Sequence, residues 1–212
     1  MVEKIFKKKL NMGIHYNKSN IHWNYFLAIE QDFELLSRYI EFTESNNNTF
    51  SIELARIIMV STQEVDVILK KLCKLVEPES TADNINQYKP IIRNHFPEFT
   101  KEIVQIQRFG MTSKPWINWF DSNDHPFWWT ANNKIKHQRT EHFEKANLKN
   151  AYNSLGGLLV ATLYYYKTEI EKETGNPLSW TDLTFKLKPN SSLLKLRDEY
   201  YIEPGTWAEA QW

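Results

Sequence analysis

The sequence predicts a mainly α protein: a single domain of 212 residues, with a helical bundle over about 23–172 and a small β-containing tail over about 176–212. Three observations carry this prediction. Apolar residues recur at three- and four-residue steps in two long stretches, 52–76 and 145–172, the spacing of one helix face. Strict alternation of apolar and polar residues is confined to short stretches near 104–107 and 183–187. The chain is 42% hydrophobic and 14% aromatic, which is ample for a packed core and too apolar for a disordered chain.

The elements follow in order. Residues 1–22 read as irregular, with a cationic cluster at Lys4 and Lys7 to Lys9 that suits a solvated end or a phosphate-contacting arm. A first helix is expected over 23–43, with Phe26, Ile29 or Glu30, Phe33, Leu36 and Ile40 on one side, until "ESNNNT" breaks it. The second helix, over 52–76, has Ser51 to cap it, Glu53 at the positive end of its dipole, and Pro78 beyond its close. Leu54, Ile58, Val65, Ile68, Leu69 and Leu72 form its apolar stripe, opposite Arg56, Gln63, Lys70 and Lys74. A shorter helix fits 84–95, and the alternation in "EIVQIQRF" predicts a strand over 102–109. "GMTSKP" reads as a turn-rich loop, "WINWF" as one helical turn, and Pro126 as the first position of another helix. The last long helix spans 145–172, and its Gly156-Gly157 pair would let another helix approach closely. Beyond "TGNP", alternation at Leu183, Phe185 and Leu187 predicts a strand, and "EYYIEP" reads as a second short one.

Composition narrows the function. Lys+Arg and Asp+Glu balance at 26 each, so any electropositive function must be local. The single cysteine, Cys73, excludes an internal disulfide and a multi-cysteine zinc site, and its apolar surroundings predict a buried, inert thiol. His15, His22, His95 and His125 show no ligand spacing with Asp, Glu or Cys, so no metal is expected, and no cofactor. P-loop, G-x-G-x-x-G and G-x-S-x-G motifs are missing from the sequence. The longest apolar run, 155–166, is about half of what a bilayer requires, and no signal-peptide pattern opens the chain. The expectation is a cytoplasmic protein without a membrane segment.

The chemistry concentrates in "PFWWTANNKIKHQR" (126–139). On a helix, Phe127 or Trp128, Ala131, Ile135 and Gln138 would face inward. Asn133, Lys136 and His137 would face outward, with Asn132 and Lys134 at the borders; Asn133 and His137 lie on successive turns. A neutral imidazole can serve as base toward a ribose 2′-hydroxyl while lysine holds the phosphate. The same pattern also suits an ordinary solvated helix face. Trp116, Trp119, Phe120, Trp128 and Trp129 could stack bases, but clustered aromatics are more often core. Glu64 could orient the site from the second helix, and Asn147, Asn150 and Ser154 form a polar strip on the last long one.

The stretches "ELARIIMVSTQEVDVILKKLC" and "WWTANNKIKHQRTEHFEKANLKNAYNSLGGLLV", the latter a polar motif running into a long apolar helix, together resemble the HEPN superfamily (higher eukaryotes and prokaryotes nucleotide-binding). They resemble especially its bacterial members linked to abortive infection and toxin–antitoxin systems. The resemblance covers about 23–76 and 126–172. It implies a helical bundle, a homodimer that brings two motif copies together, and in many members a metal-independent ribonuclease. By position, His137 matches the motif histidine, Asn133 the polar residue after the arginine, and Asn132 the arginine itself. Asn132 brings no charge, so phosphate contact would pass to Lys134, Lys136 or Arg139. The resemblance thus implies a ribonuclease toxin or phage-defence effector, with His137 and Asn132 catalytic. Substrate contacts would come from Asn133, Lys134, Lys136, Arg139, Asn147 and Asn150, with Glu64 behind them. RNA and an antitoxin are the expected partners. Two further readings share the same fold: a non-catalytic module binding a partner protein or nucleotide, and a purely structural helical dimer.

Overall fold

A computed structural model describes residues 19–121 and 124–201, so the Lys4 and Lys7 to Lys9 cluster and His15 lie outside the described residues. Eight α-helices and one two-stranded hairpin are present among the described residues. The centre is built from α2 (Ile52–Val76) and α7 (Leu148–Thr174), both close to the expected spans and packed against each other. Ser51 caps α2, its hydroxyl accepting from the Leu54 N–H at 3.1 Å, and all six residues of the α2 stripe are fully buried. Asn147 does the same for α7. Nearly every side chain of α7 from Leu148 to Tyr166 is buried, which is the pattern of a helix enclosed on all sides.

The two central helices run in the same direction. Their N-termini are pinned together by a bridge between Phe50 and Asn147, with Ser51 N–H donating to Ala146 and Leu148 N–H donating to Thr49. Further along, His22 touches Glu64 and Lys71 of α2 and the rings of Tyr165 and Tyr166 of α7. Parallel neighbours cannot be joined by a tight turn, and residues 77–147 make the return. That segment holds α3 (Ile85–His95), the hairpin β1 (Val104–Ile106) and β2 (Met111–Ser113), then α4 (Ile117–Asp121), α5 (Phe127–His137) and α6 (Arg139–His142). The strands pair antiparallel, Gln105 opposite Thr112, and Gly110 turns between them at φ 63°.

Five sequence expectations need correction. The first helix, α1 (Ile21–Leu36), ends before residue 43. Phe33 and Phe42 stack at 4.7 Å, yet nine residues along a straight helix would put them on opposite sides, so the chain must leave the helix to bring them together. "GMTSKP" supplies strand β2, and the predicted strand over 102–109 shrinks to three residues. The stretch at 183–187 lies mainly in a helix, α8 (Trp180–Lys186), capped by Ser179, which accepts from Asp182 N–H at 3.0 Å. Leu183 and Leu187 are buried while Phe185 is 65% exposed, so the meaningful spacing there is four, not two. The tail meets the hairpin through a single bridge, Gln105 to Lys195. In "EYYIEP", Asp198–Tyr200 form a 3-10 turn, and the residues after Tyr201 lie outside the described ones.

The tryptophans of the predicted stacking set are structural. Trp116, Trp119 and Trp128 are fully buried, Trp129 is nearly so, and only Phe120 of the predicted stacking set is exposed. The glycine pair of α7 admits a ring and a strand rather than a helix backbone: Gly157 faces Trp128, and Gly156 faces Val104. Burial pushes the Cys73 thiol up to about 12, as an inert core cysteine requires. No helix among the described residues is long and apolar enough to cross a membrane.

Candidate nucleic-acid interface

Helix α5 begins after Pro126, whose carbonyl accepts from Trp129 and Thr130 N–H at 2.9 and 3.1 Å. Trp128 and Ile135, seven residues apart, are fully buried and fix the phase of the helix. Asn133, Lys136 and His137 therefore face solvent, with Lys134 half-buried beside them. Gln138, expected inward, is exposed, because the helix stops at His137 and Gln138 turns away at φ −139°. Asn132 takes the inward place instead and is 9% exposed. It is thus turned away from the exposed face that carries His137, and a guanidinium at this position would be buried. Asn132→Arg is thus expected to destabilise the fold rather than restore the family motif.

The other expected contributors are committed to the fold. Asn147 caps α7, accepting from Asn150 N–H and donating to the Glu144 carbonyl, both at 3.0 Å. Asn150 is buried and donates to the Lys145 carbonyl at 2.8 Å, and Ser154 donates to the Ala151 carbonyl at 2.9 Å. Glu64 does not reach α5 at all. Its carboxylate takes Nδ1 of His22 at 2.5 Å, while Nε2 of His22 meets the Lys71 ammonium at 3.1 Å.

Five candidates remain together on the surface: Asn133, Lys134, Lys136, His137 and Arg139. The first four make no side-chain hydrogen bond or ion pair among the described residues, and the Arg139 guanidinium rests 3.5 Å from the Met59 sulfur. Lys136 lies close enough to Asp66 to pull down a carboxyl that burial pushes up. Lys134 and Lys136 occupy the last turn of α5, where they also complement its negative end. Beside them runs an open apolar groove of about 810 Å³ between α2 and α6, lined by Ile52, Met59, Val60, Arg139, Thr140 and Phe143. Ile52 is 74% exposed. No metal-holding group of three His, Cys, Asp or Glu side chains occurs among the described residues.

Two buried polar clusters escape sequence reasoning because their partners are far apart in the chain. Glu30 of α1 collects the N–H groups of Ser192, Leu193 and Leu194 at 3.0, 3.2 and 2.8 Å and the Ser191 hydroxyl. Glu102 is fully buried and accepts from the Tyr164 and Tyr200 hydroxyls at 2.6 and 2.9 Å, with Arg197 at 3.9 Å from its other oxygen. Burial pushes the Glu102 carboxyl up, against the pull of both tyrosines and Arg197.

A pH test follows for Glu102. The folded state holds its proton more tightly than the unfolded chain does, so this contribution is present below the ordinary value of 4.5 and is lost as pH rises through the raised one. Glu102→Gln removes that titration. The stability of the wild type relative to Glu102→Gln should therefore fall between pH 4.5 and 7, by about 1.4 kcal/mol for each tenfold gain in proton affinity. Urea titrations across that range check it, and a difference that stays flat or rises contradicts the assignment.

Comparison with protein-family models, curated proteins and solved structures finds no match to this chain.

Proposed function

We propose that this chain is a HEPN-like RNA-binding module that contacts its ligand through the exposed end of α5 and the start of α6. One observation supports the reading above the others: Asn133, Lys134, Lys136, His137 and Arg139 share one surface, and among the described residues no carboxylate ties down their side chains in an ion pair. Lysine and arginine supply the salt-dependent phosphate contact, and the asparagine and histidine add hydrogen bonds to sugar or base. Binding is favoured over cleavage because the motif's arginine position, Asn132, is buried, and Asn147, Asn150 and Glu64 are engaged elsewhere.

Anisotropy of a fluorescent single-stranded RNA, followed against salt without added metal, tests the reading. Each phosphate contact contributes about −0.7 to the slope of log affinity against log salt, so three cations give a slope of about −2. Replacing Lys134, Lys136 and Arg139 together with alanine should flatten that slope and weaken binding at least about 10-fold at low salt. Lys134 and Lys136 stabilise the α5 end by only about 0.3–1 kcal/mol each and Arg139 is exposed, so the triple variant should stay folded. Absence of RNA binding by the wild type at tens of micromolar protein (roughly the range of weak interactions) would sink the proposal. The same samples report cleavage. If product appears, His137→Ala should reduce its rate by about 10² to 10⁴, and His137 becomes a general base.

A second reading rests on the groove. An exposed apolar surface beside a polar rim is the ordinary signature of a protein contact, and a second copy or an antitoxin-like partner would bury Ile52, Met59 and Val60. Sedimentation distinguishes the two: Ile52→Ser, a neutral change at a residue 74% exposed in the groove, should weaken association while leaving RNA binding intact.

A further inference from the structure

A second recess lies at the other end of α5, apart from the proposed RNA face. It is an open cavity of about 550 Å³ between the hairpin, the 43–47 loop and the first turns of α7. Phe127 opens α5 and borders this cavity, whereas His137 closes the helix, about 15 Å away at 1.5 Å per residue. The volume falls within the roughly 300–1,000 Å³ range of small-molecule sites.

Its lining divides into three parts. Lys114 and Lys149 are both exposed at the rim, and Glu44 is the single acid of the lining among the described residues, so this lining carries a net positive charge. The Lys149 ammonium lies 5.4 Å over the Phe127 ring, and neither lysine is in an ion pair among the described residues. Phe127, Phe109 and Ile117 provide a half-buried apolar wall. The floor holds Asn153, only 5% exposed, whose amide donates to the Lys149 carbonyl at 2.8 Å and accepts from the Ser113 hydroxyl. A side-chain amide carries two N–H donors, and only one of those of Asn153 is engaged among the described residues.

Lys149 also sits where a stability argument would not place it. It is in the first turn of α7, near the positive end of a 27-residue helix, where a cation is disfavoured. The leading N–H groups of that helix are already satisfied: Leu148 by Thr49, Lys149 by Asn47 and Asn150 by the Asn147 side chain. The dipole thus adds to the positive potential, but an anion here would be gripped by side chains. Two cations, a positive helix end, a buried amide with a donor to spare and an aromatic wall call for a dianionic head on a flat apolar body.

We propose that this cavity binds a small aryl phosphate monoester. Lys114 and Lys149 clamp the phosphate, Asn153 donates to it, and the ring lies against Phe127 and Phe109. The site is independent of the RNA reading and survives its failure.

The test is a titration of the isotope-labelled full chain with phenyl phosphate, followed by NMR, with inorganic phosphate and benzoate as separate arms. The expected result is a saturable shift of the Gly110, Thr112 and Lys149 amides and of the Asn153 side-chain amide. Inorganic phosphate and benzoate should each bind at least about 10-fold more weakly, the one lacking the ring and the other the second charge. The double variant Lys114→Ala with Lys149→Ala should lose at least about 10-fold in affinity for phenyl phosphate. Its thermal midpoint should not fall, because both side chains are exposed and one opposes the helix dipole. No saturable shift up to about 10 mM, equal affinity for inorganic phosphate, or indifference to the double substitution would each overturn the proposal. A phosphorylated RNA hexamer that displaces phenyl phosphate at lower concentration than the monoester itself would assign the cavity to an RNA end and overturn the small-molecule reading.

Discussion

Glu30→Ala is expected to cost about 3–5 kcal/mol, because a buried carboxylate that satisfies several backbone donors cannot be removed without leaving them unpaired. The side chain is 1% exposed and sits among the N–H groups of Ser192, Leu193 and Leu194 with the Ser191 hydroxyl. An orphaned buried donor costs about 1–3 kcal/mol, and three lose their partner at once. The chain can limit that penalty by letting the 191–194 segment swing out into water, which sets the ceiling at the free energy of docking the tail. That segment brings Leu194 and Leu196, both fully buried, so the docking is substantial. Two measurements check the account. Urea unfolding gives the total, and hydrogen exchange should show the 192–194 amides opening far more readily than those of α2. Glu30→Gln keeps one acceptor oxygen and should cost less than half as much. A Glu30→Ala variant within about 1 kcal/mol of wild type would show that water replaces the carboxylate without difficulty.

The second large effect centres on Trp128. Its fully buried ring donates from Nε1 to the Pro115 carbonyl at 2.8 Å and lies against the bare backbone of Gly157. Trp128→Ala is expected to cost about 3–5 kcal/mol through lost burial and the cavity left behind. Gly157→Ala should cost about 1–3 kcal/mol for the opposite reason, since a Cβ there would stand 2.6 Å from Cζ2 of Trp128 and force the ring aside. Combined, the two substitutions should not add. With the ring gone, the new methyl has room, and alanine recovers up to about 1 kcal/mol of helix propensity. Gly156→Ala is the internal control, because its Cβ would meet Val104 at an ordinary 3.4 Å. Denaturation of the four proteins of this cycle decides the matter; a Gly157→Ala cost that is the same in both backgrounds rules out the proposed contact.

These two sites mark the limits of sequence reading. Helix α2 was legible to the residue because local chemistry defines both its ends: Ser51 caps it, and the stripe from Leu54 to Leu72 keeps one period throughout. Where local signals conflict, the shorter window misleads. Leu183, Phe185 and Leu187 alternate like a strand, but Ser179 and Asp182 start a helix before them. The candidate site was legible as a location and not as a geometry. A helical wheel around 126–139 leaves the borders of its faces open by one residue, and that margin decides whether Asn132 meets solvent or core. The partners of Glu30, Glu102 and Glu64 lie between 42 and 164 positions away, so no window of sequence contains them.

The parallel pairing of α2 and α7 has a kinetic consequence. Closing a loop of about 70 residues costs roughly 2 kcal/mol more in chain entropy than closing a turn of about five, so this helical protein carries a folding barrier more typical of β-rich topologies. During synthesis the penalty becomes a waiting time. At roughly 5–20 residues per second, the ribosome needs about 5 to 20 s after completing α2 to release the last residues of α7. Until then Leu54, Ile58, Val65, Ile68 and Leu72 lack the helix that packs most extensively on α2. The nascent chain is thus most vulnerable to aggregation in that interval, and chaperone capture should centre on α2.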